Sequence, residues 1–270
     1  MTENHIKDKV KQQYADRGRA YADSKVHADS TSLAHLVSVV DPRPDWRVLD
    51  IATGSGHTAL TFMPHVRRVV ATDLTFGMVQ TAANIAGERG HRQFSPAAAD
   101  AEALPFAAQS FHLLTCRLAP HHFPRPERFV DEAARVLVPG GLLAIVDNVV
   151  PGGRNKADQA TGRYVNAFEK LRDPSHSRCL STNEWHELFY QSGFTLVHAE
   201  TTRKRLAFGP YVQRMKVAPL NRVRLEAMLV QAPAGVQAFL TPDFDGGTIG
   251  FYLAEALFVC RLGPNYAHAR

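Results

Sequence analysis

The chain has 270 residues, 45% apolar and 21% charged, with a formal net charge of +5 and three cysteines. This is the make-up of a globular protein of one or two domains, and no run of about 18 apolar residues exists to cross a membrane as a helix. Cys116, Cys179 and Cys260 are too few and too widely spaced for a disulfide framework or a zinc knuckle. With no apolar core of a secretion signal near the start, they predict a cytoplasmic protein.

Residues 5–17 and 28–40 read as amphipathic helices, the second carrying Leu33, Leu36, Val37 and Val40 at helical spacing. Asp41-Pro42-Arg43-Pro44 stops it. Strand and helix then alternate: strands at 47–51, 68–72, 93–98, 113–116 and 142–146, helices at 57–62, 76–89, 103–104 (short) and 126–137. Val138-Pro139-Gly140-Gly141 predicts a sharp turn into the fifth strand. Past Pro151 the spacing predicts a helix over 156–171, a polar loop over 172–180, and a helix over 183–192 between a Ser181 or Thr182 cap and Gly193. A strand at 194–202, a helical insertion at 210–239 and a strand at 248–262, antiparallel to its neighbour, complete the chain. The expected fold is α/β: a single Rossmann-like, doubly wound sheet, mostly parallel with an antiparallel last strand, carrying N-terminal helices and a helical insertion. One domain is expected, made of a helical cap (1–44), a cofactor-binding core (45–150) and a substrate-side half (151–270).

The most informative stretch is Asp50-Ile51-Ala52-Thr53-Gly54-Ser55-Gly56, an acid at the end of an apolar strand followed by a glycine turn and a helix. Glycines 54 and 56 allow a tight turn and close approach of backbone to a ligand. A dinucleotide fingerprint wants a third glycine where Ala59 stands, and a carboxylate at Asp50 would repel pyrophosphate. Asp50 suits a cationic amino-acid group instead. Asp73 ends the second strand at the spacing of an acid that accepts both ribose hydroxyls, and Asp100 closes the next strand, where an adenine amine can donate. A cationic end, a ribose and an adenine together describe S-adenosylmethionine (SAM).

The first of these motifs resembles that of class I SAM-dependent methyltransferases, with Ala52 where many have glycine. Ala71-Thr72-Asp73-Leu74, Asp100-Ala101-Glu102-Ala103-Leu104-Pro105-Phe106 and Arg135-Val136-Leu137-Val138-Pro139-Gly140-Gly141 match as well, and the chain is most similar to the ubiquinone/menaquinone-type group of small-molecule methyltransferases. The resemblance implies a SAM site built from Asp50, Ala52, Thr53, Gly54, Gly56, Asp73, Leu74, Met78, Asp100, Ala101 and Arg117.

Transfer of a methyl group from a sulfonium needs alignment, exclusion of water and, for some acceptors, a base. His121 and His122, just after the fourth strand, are the candidate bases because histidine titrates near neutral pH. Asp173 and His176, in a loop that should roof the site, are a candidate acid–base pair, and Tyr14 and Tyr21 are candidates to close over the cofactor. Asp147-Asn148 resembles half of a catechol-type magnesium site, but Cys116-Arg117 stands where its other acid belongs, so no metal is expected. Tyr164, Phe168, Phe208, Tyr211 and Met215 either line a substrate pocket or form the core of the insertion. Seven basic residues between Thr201 and Leu225, with no acid among them, are either an anion-attracting rim or a solvated face. No aromatic residues alternate with them, so nucleic acid is not the expected partner; a small molecule, anionic or aromatic, is. An RNA methyltransferase, a SAM-binding protein or cyclase without transfer, and a nicotinamide oxidoreductase are the competing readings.

Overall fold

The computed structural model describes residues 3–15, 18, 22, 29–153, 155–245 and 247–264. Arg47–Ile51 (β1), Arg68–Asp73 (β2), Phe94–Ala98 (β3), Phe111–Arg117 (β4) and Leu137–Val149 (β5) form a parallel sheet in the order β3-β2-β1-β4-β5. In β1 four of the five residues are buried, as expected where helices cover both faces of a sheet. Phe194–Ala207 (β6), Asp243–Asp245 (β7) and Thr248–Leu262 (β8) extend the sheet, with β8 antiparallel between β5 and β6 and β7 hairpinned onto β8.

The helices in chain order are Glu3–Tyr14 (α1), Ser30–Val40 (α2), His57–Phe62 (α3), Phe76–Glu88 (α4), Pro126–Val136 (α5), Lys156–Arg172 (α6) and Thr182–Gln191 (α7). Phe208–Arg214 (α8), Pro219–Val230 (α9) and Ala234–Leu240 (α10) make up the insertion. Asp29 caps α2 by accepting from Thr31 N and Ser32 N, and Ser181 with Glu184 forms a capping box on α7. One face of the central sheet buries Leu49, Ile51, Phe129, Ile145 and Trp185, and the other Val48, Phe62, Val69 and Val146. A third cluster under the insertion holds Phe168, Phe208 and Tyr211, and Met215 is buried as well. Among the described residues no helix is long and apolar enough to cross a membrane.

Some boundaries depart from expectation. Residues 138–141 lie inside β5: pairing begins at Phe111↔Leu137 and resumes at Leu113↔Leu142, so the predicted turn is a bulge, with Gly140 at φ 78°. Residues 103–104 are not helical; Ala103 bridges back to Asp100, and Glu132 accepts from Leu104 N. β6 runs on to Ala207 because β8 pairs with it throughout that length. Residues 16–17 and 28, at the ends of the first two predicted helices, lie outside the described residues, as does Tyr21.

Candidate active site

At the carboxyl ends of β1, β2 and β4 the chain leaves a cavity of about 1630 Å³, its open mouth included. The turn after β1 forms part of its wall. Ala52 is left-handed at φ 52°, Gly54 follows at φ 56° and Gly56 at φ 88°. A Cβ on Gly54 would meet no protein atom within 4 Å, so it would project into the cavity and occupy ligand space. Gly56 serves another purpose: its Cβ would lie 3.1 Å from Ala82 Cβ, and the close approach seats α4 against the turn. Among the described residues, Gly56 is not part of the cavity wall.

Strand register explains the surroundings of Asp50. Thr115 of β4 stands opposite it, and Thr115 Oγ1 donates to Asp50 Oδ1 at 2.6 Å while Thr53 Oγ1 donates to Oδ2 at 2.6 Å. Burial nevertheless pushes the Asp50 pKa up to about 6. Asp73 accepts from Gly54 N at 3.0 Å and Thr75 N at 2.8 Å, bracing the glycine turn, and burial raises its pKa too. Asp100 is engaged by Lys7 of α1, whose ammonium lies 2.7 Å from Asp100 Oδ2 and 2.6 Å from Glu102 Oε2. Ala52, Thr53, Leu74, Met78, Ala101 and Arg117 share the cavity wall with these acids, and Arg117 Nε donates to Thr58 Oγ1 at 3.3 Å.

Opposite the acids, Pro120–His122 is a single 3-10 turn that brings both histidines to the cavity. His121 Nδ1 donates to Asp147 Oδ1 at 2.6 Å. Burial works to lower the His121 pKa, but Asp147, Glu169 and Asp173 outweigh it and the pKa is raised. His122 Nδ1 donates to the Ser175 carbonyl at 3.1 Å, and its Nε2 lies 3.1 Å from the Tyr14 hydroxyl. Burial, then the neighbouring His121 charge, lower the His122 pKa to about 4. Asp173, also on the cavity wall, accepts from Ser175 Oγ at 2.5 Å and from Tyr14 at 3.1 Å.

These features recur in known proteins. A methyltransferase-domain family profile matches residues 49–145. The uncharacterized methyltransferase YcgJ of Bacillus subtilis is 38% identical over 176 residues, 65% of this chain and 68% of YcgJ. The chain belongs to the class I SAM-dependent methyltransferases. A crystal structure of a candidate methyltransferase from Bacillus halodurans superposes with a TM-score of 0.81 at 34% identity, over 87% of this chain and 100% of that one. The demethylmenaquinone methyltransferase of Renibacterium salmoninarum is 33% identical over 112 residues, 42% of this chain and 45% of that protein.

The remaining wall of this methyltransferase comes from the substrate-side half. Arg172 Nη1 donates to Glu169 Oε2 at 3.1 Å, the Tyr211 hydroxyl donates to Glu169 Oε1, and the Arg172 guanidinium lies 3.8 Å over the Tyr211 ring. Of the five apolar candidates in the insertion only Tyr211 reaches the cavity; Phe168, Phe208 and Met215 are core, and Tyr164 bonds Met228 O. In the basic stretch Lys204 pairs with Glu255 at 2.7 Å in the cavity, Arg205 pairs with Asp243 at 2.7 Å outside it, and Arg203 bonds Phe239 O.

The expected Asp173–His176 pair does not form. His176 is buried behind the site, where its Nε2 donates to Asn166 Oδ1 at 2.9 Å, and burial keeps its pKa well below the usual histidine value. The tight turn sends the two side chains in different directions, Asp173 to the cavity and His176 into the α6 packing. Sequence reasoning missed Lys7, Thr115, Glu169, Arg172 and the link from Asp147 to His121. Only Asp147 carried a signal, an acid just inside the end of an apolar strand.

Proposed function

We propose that this methyltransferase moves a methyl group from SAM to a small-molecule acceptor without a metal ion, using a histidine as base. When bound, SAM would supply an electrophilic methyl on a sulfonium. Asp50 and the turn from Ala52 to Gly54 would hold its amino-acid end, Asp73 the ribose, and Asp100 with Ala101 the adenine. Leu74 and Met78 would pack on the adenosine, and Arg117 would face its carboxylate. The observation that carries this reading is the vacant space at Gly54 beside two strand-end carboxylates, in a cavity that also holds His121. A nicotinamide dinucleotide fits less well, because its pyrophosphate would face Asp50. Arg117 at the end of β4 also disfavours a divalent cation there.

The chain's part in the reaction is then alignment, desolvation and proton removal. Alignment and pre-paid ordering lower such barriers by about 7–11 kcal/mol. The small-molecule assignment is supported by a cavity sunk into the carboxyl end of the sheet and by ion pairs that occupy Lys204 and Arg205 of the basic stretch. Residues 45–150 would act as the cofactor half of one domain, and residues 151–270 as the acceptor half.

Calorimetric titration with SAM and S-adenosylhomocysteine (SAH), with NADH as control, tests the reading. Micromolar SAH binding, weakened tenfold or more by Asp73→Ala, is the expected result. NADH binding with no SAM or SAH binding would overturn it.

A further inference from the structure

We propose that His121 alone is the base, that Asp147 positions it, and that the acceptor therefore belongs to the class that must surrender an O–H or acidic C–H proton as it is methylated. This deepens the methyltransferase reading above and rests on it.

The hydrogen bonds put a proton on Nδ1 of both neighbouring rings but give their Nε2 atoms different surroundings. Asp147 is a carboxylate that can only accept, so the 2.6 Å contact puts a proton on His121 Nδ1 and leaves the lone pair on Nε2. Asp147 is 1% exposed and stands behind His121, which itself faces the cavity. Ser177 N and Arg178 N donate to His121 O at 2.8 and 3.0 Å, which fixes the backbone beneath the ring. His122 is different. Its Nδ1 proton goes to the Ser175 carbonyl, and its Nε2 is covered by the Tyr14 hydroxyl at 3.1 Å, whose single proton it shares with Asp173 Oδ2 at the same distance. His122 thus ties α1 to the loop after α6, and His121 keeps the lone pair that a substrate proton can reach.

The groups facing the His121 ring are Asp147 from β5, Glu169 from α6, Asp173 and His176 from the segment after it, and His122 beside it. Three carboxylates against two neutral imidazoles favour a proton on His121, as a base that must hold one requires. In the step itself, the acceptor's proton passes to His121 Nε2 and its freed electron pair forms the bond to the methyl carbon. The old carbon–sulfur pair stays on sulfur, which goes from sulfonium to neutral thioether. A tertiary amine or thioether acceptor has no proton to give and would become a new cation beside a histidine with nothing to do. Phenols, hydroquinones and enolisable carbonyl compounds are the chemistry that uses this pair.

The test begins with SAH binding to the wild type, His121→Gln and Asp147→Asn. Failure of the wild type to bind SAH would sink the methyltransferase reading itself, whereas equal binding by all three isolates the present proposal. NMR of histidine-labelled protein in the SAH complex should then show His121 protonated at Nδ1, with Asp147→Asn lowering its pKa by about one unit or more. Tritium transfer from SAM to 1,4-naphthohydroquinone, catechol, acetylacetone and dimethylglycine gives the second readout. Transfer should be confined to the first three, with kcat falling about 10²–10⁴-fold in His121→Gln. Asp147→Asn should lower kcat less, leave KM unchanged and move the rising pH limb downward. An Nε2–H tautomer, a titration indifferent to Asp147→Asn, or undiminished transfer to dimethylglycine in His121→Gln would overturn the proposal. If no probe is methylated, the NMR titration alone decides.

Discussion

Lys7 reaches across from the first helix to within 2.7 Å of Asp100, the acid that ends the β3 side of the cavity. The same ammonium lies 2.6 Å from Glu102, and Arg125 pairs with Glu3 one turn away. No residue of α1 is buried, so the helix is held over the cavity by polar contacts, including Tyr14 on His122 and Asp173.

Lys7→Ala should therefore loosen α1 without unfolding the protein. Amide exchange over residues 3–14 is expected to rise at least tenfold, with about 1 kcal/mol or less lost from global stability. Hydrogen-exchange mass spectrometry checks it, and unchanged protection of α1 would show that other contacts hold the helix.

SAH affinity should depend on pH through Asp50. Its pKa of about 6 means that the carboxylate is ionised above pH 6 and takes up a proton as the pH falls through that value. A cationic amino group binds the ionised form, so the Kd is expected to rise below pH 6 by up to about tenfold per unit. Calorimetry between pH 5 and 8 measures this, and Asp50→Asn should flatten the profile while weakening binding throughout.

Ala52→Gly should stabilise the fold. An L side chain at φ 52° costs roughly 1–2 kcal/mol, and glycine's extra unfolded-state entropy returns about 0.5–1 of that. The expected net gain is about 0.5–1 kcal/mol in urea denaturation. A loss would mean that the Ala52 methyl packs better than its backbone suggests.

His122 makes stability fall in acid. Its folded pKa of about 4 lies below the ordinary 6.5, so the neutral ring's contribution is complete above pH 6.5 and is lost as the pH falls toward 4. Asp50 acts oppositely, since its raised pKa relieves a penalty as it protonates, so wild type alone gives a muted trend. Comparison with His122→Asn removes the common term. The stability advantage of wild type over that variant should shrink by about 2 kcal/mol between pH 7.5 and pH 5. A constant difference across that range would show His122 titrating normally in the folded protein.

The parts of the fold that were legible are those set by local chemistry. β1 and β8 run between the residues expected, because mostly apolar runs there end at turn residues, and the glycine turn announced itself directly after β1. The start of β5 was not legible: Pro139 and Gly140 signal a turn, yet pairing with β4 across a bulge draws residues 137–141 into the strand. In the site, Asp50 and Asp73 could be picked out because each ends an apolar strand. His121 and Asp147 lie far apart in sequence and meet only because β4 and β5 pair Arg117 with Val146. Spacing suggested a partnership of Asp173 with His176; instead Ser175 and Tyr14 take the first and Asn166 the second.

The position of β8 bears on how the chain is made. Its antiparallel pairing fills the gap between β5 and β6, so Val149 waits for Ala254. At about 5–20 residues per second, a ribosome leaves the edge of β5 bare for roughly 5–20 s. A strand so apolar, exposed for that long, is a natural handhold for chaperones and a point of self-association when synthesis outruns them. Slower translation over the insertion would prolong that exposure, so synonymous codon changes there would alter yield without altering a single contact in the finished enzyme.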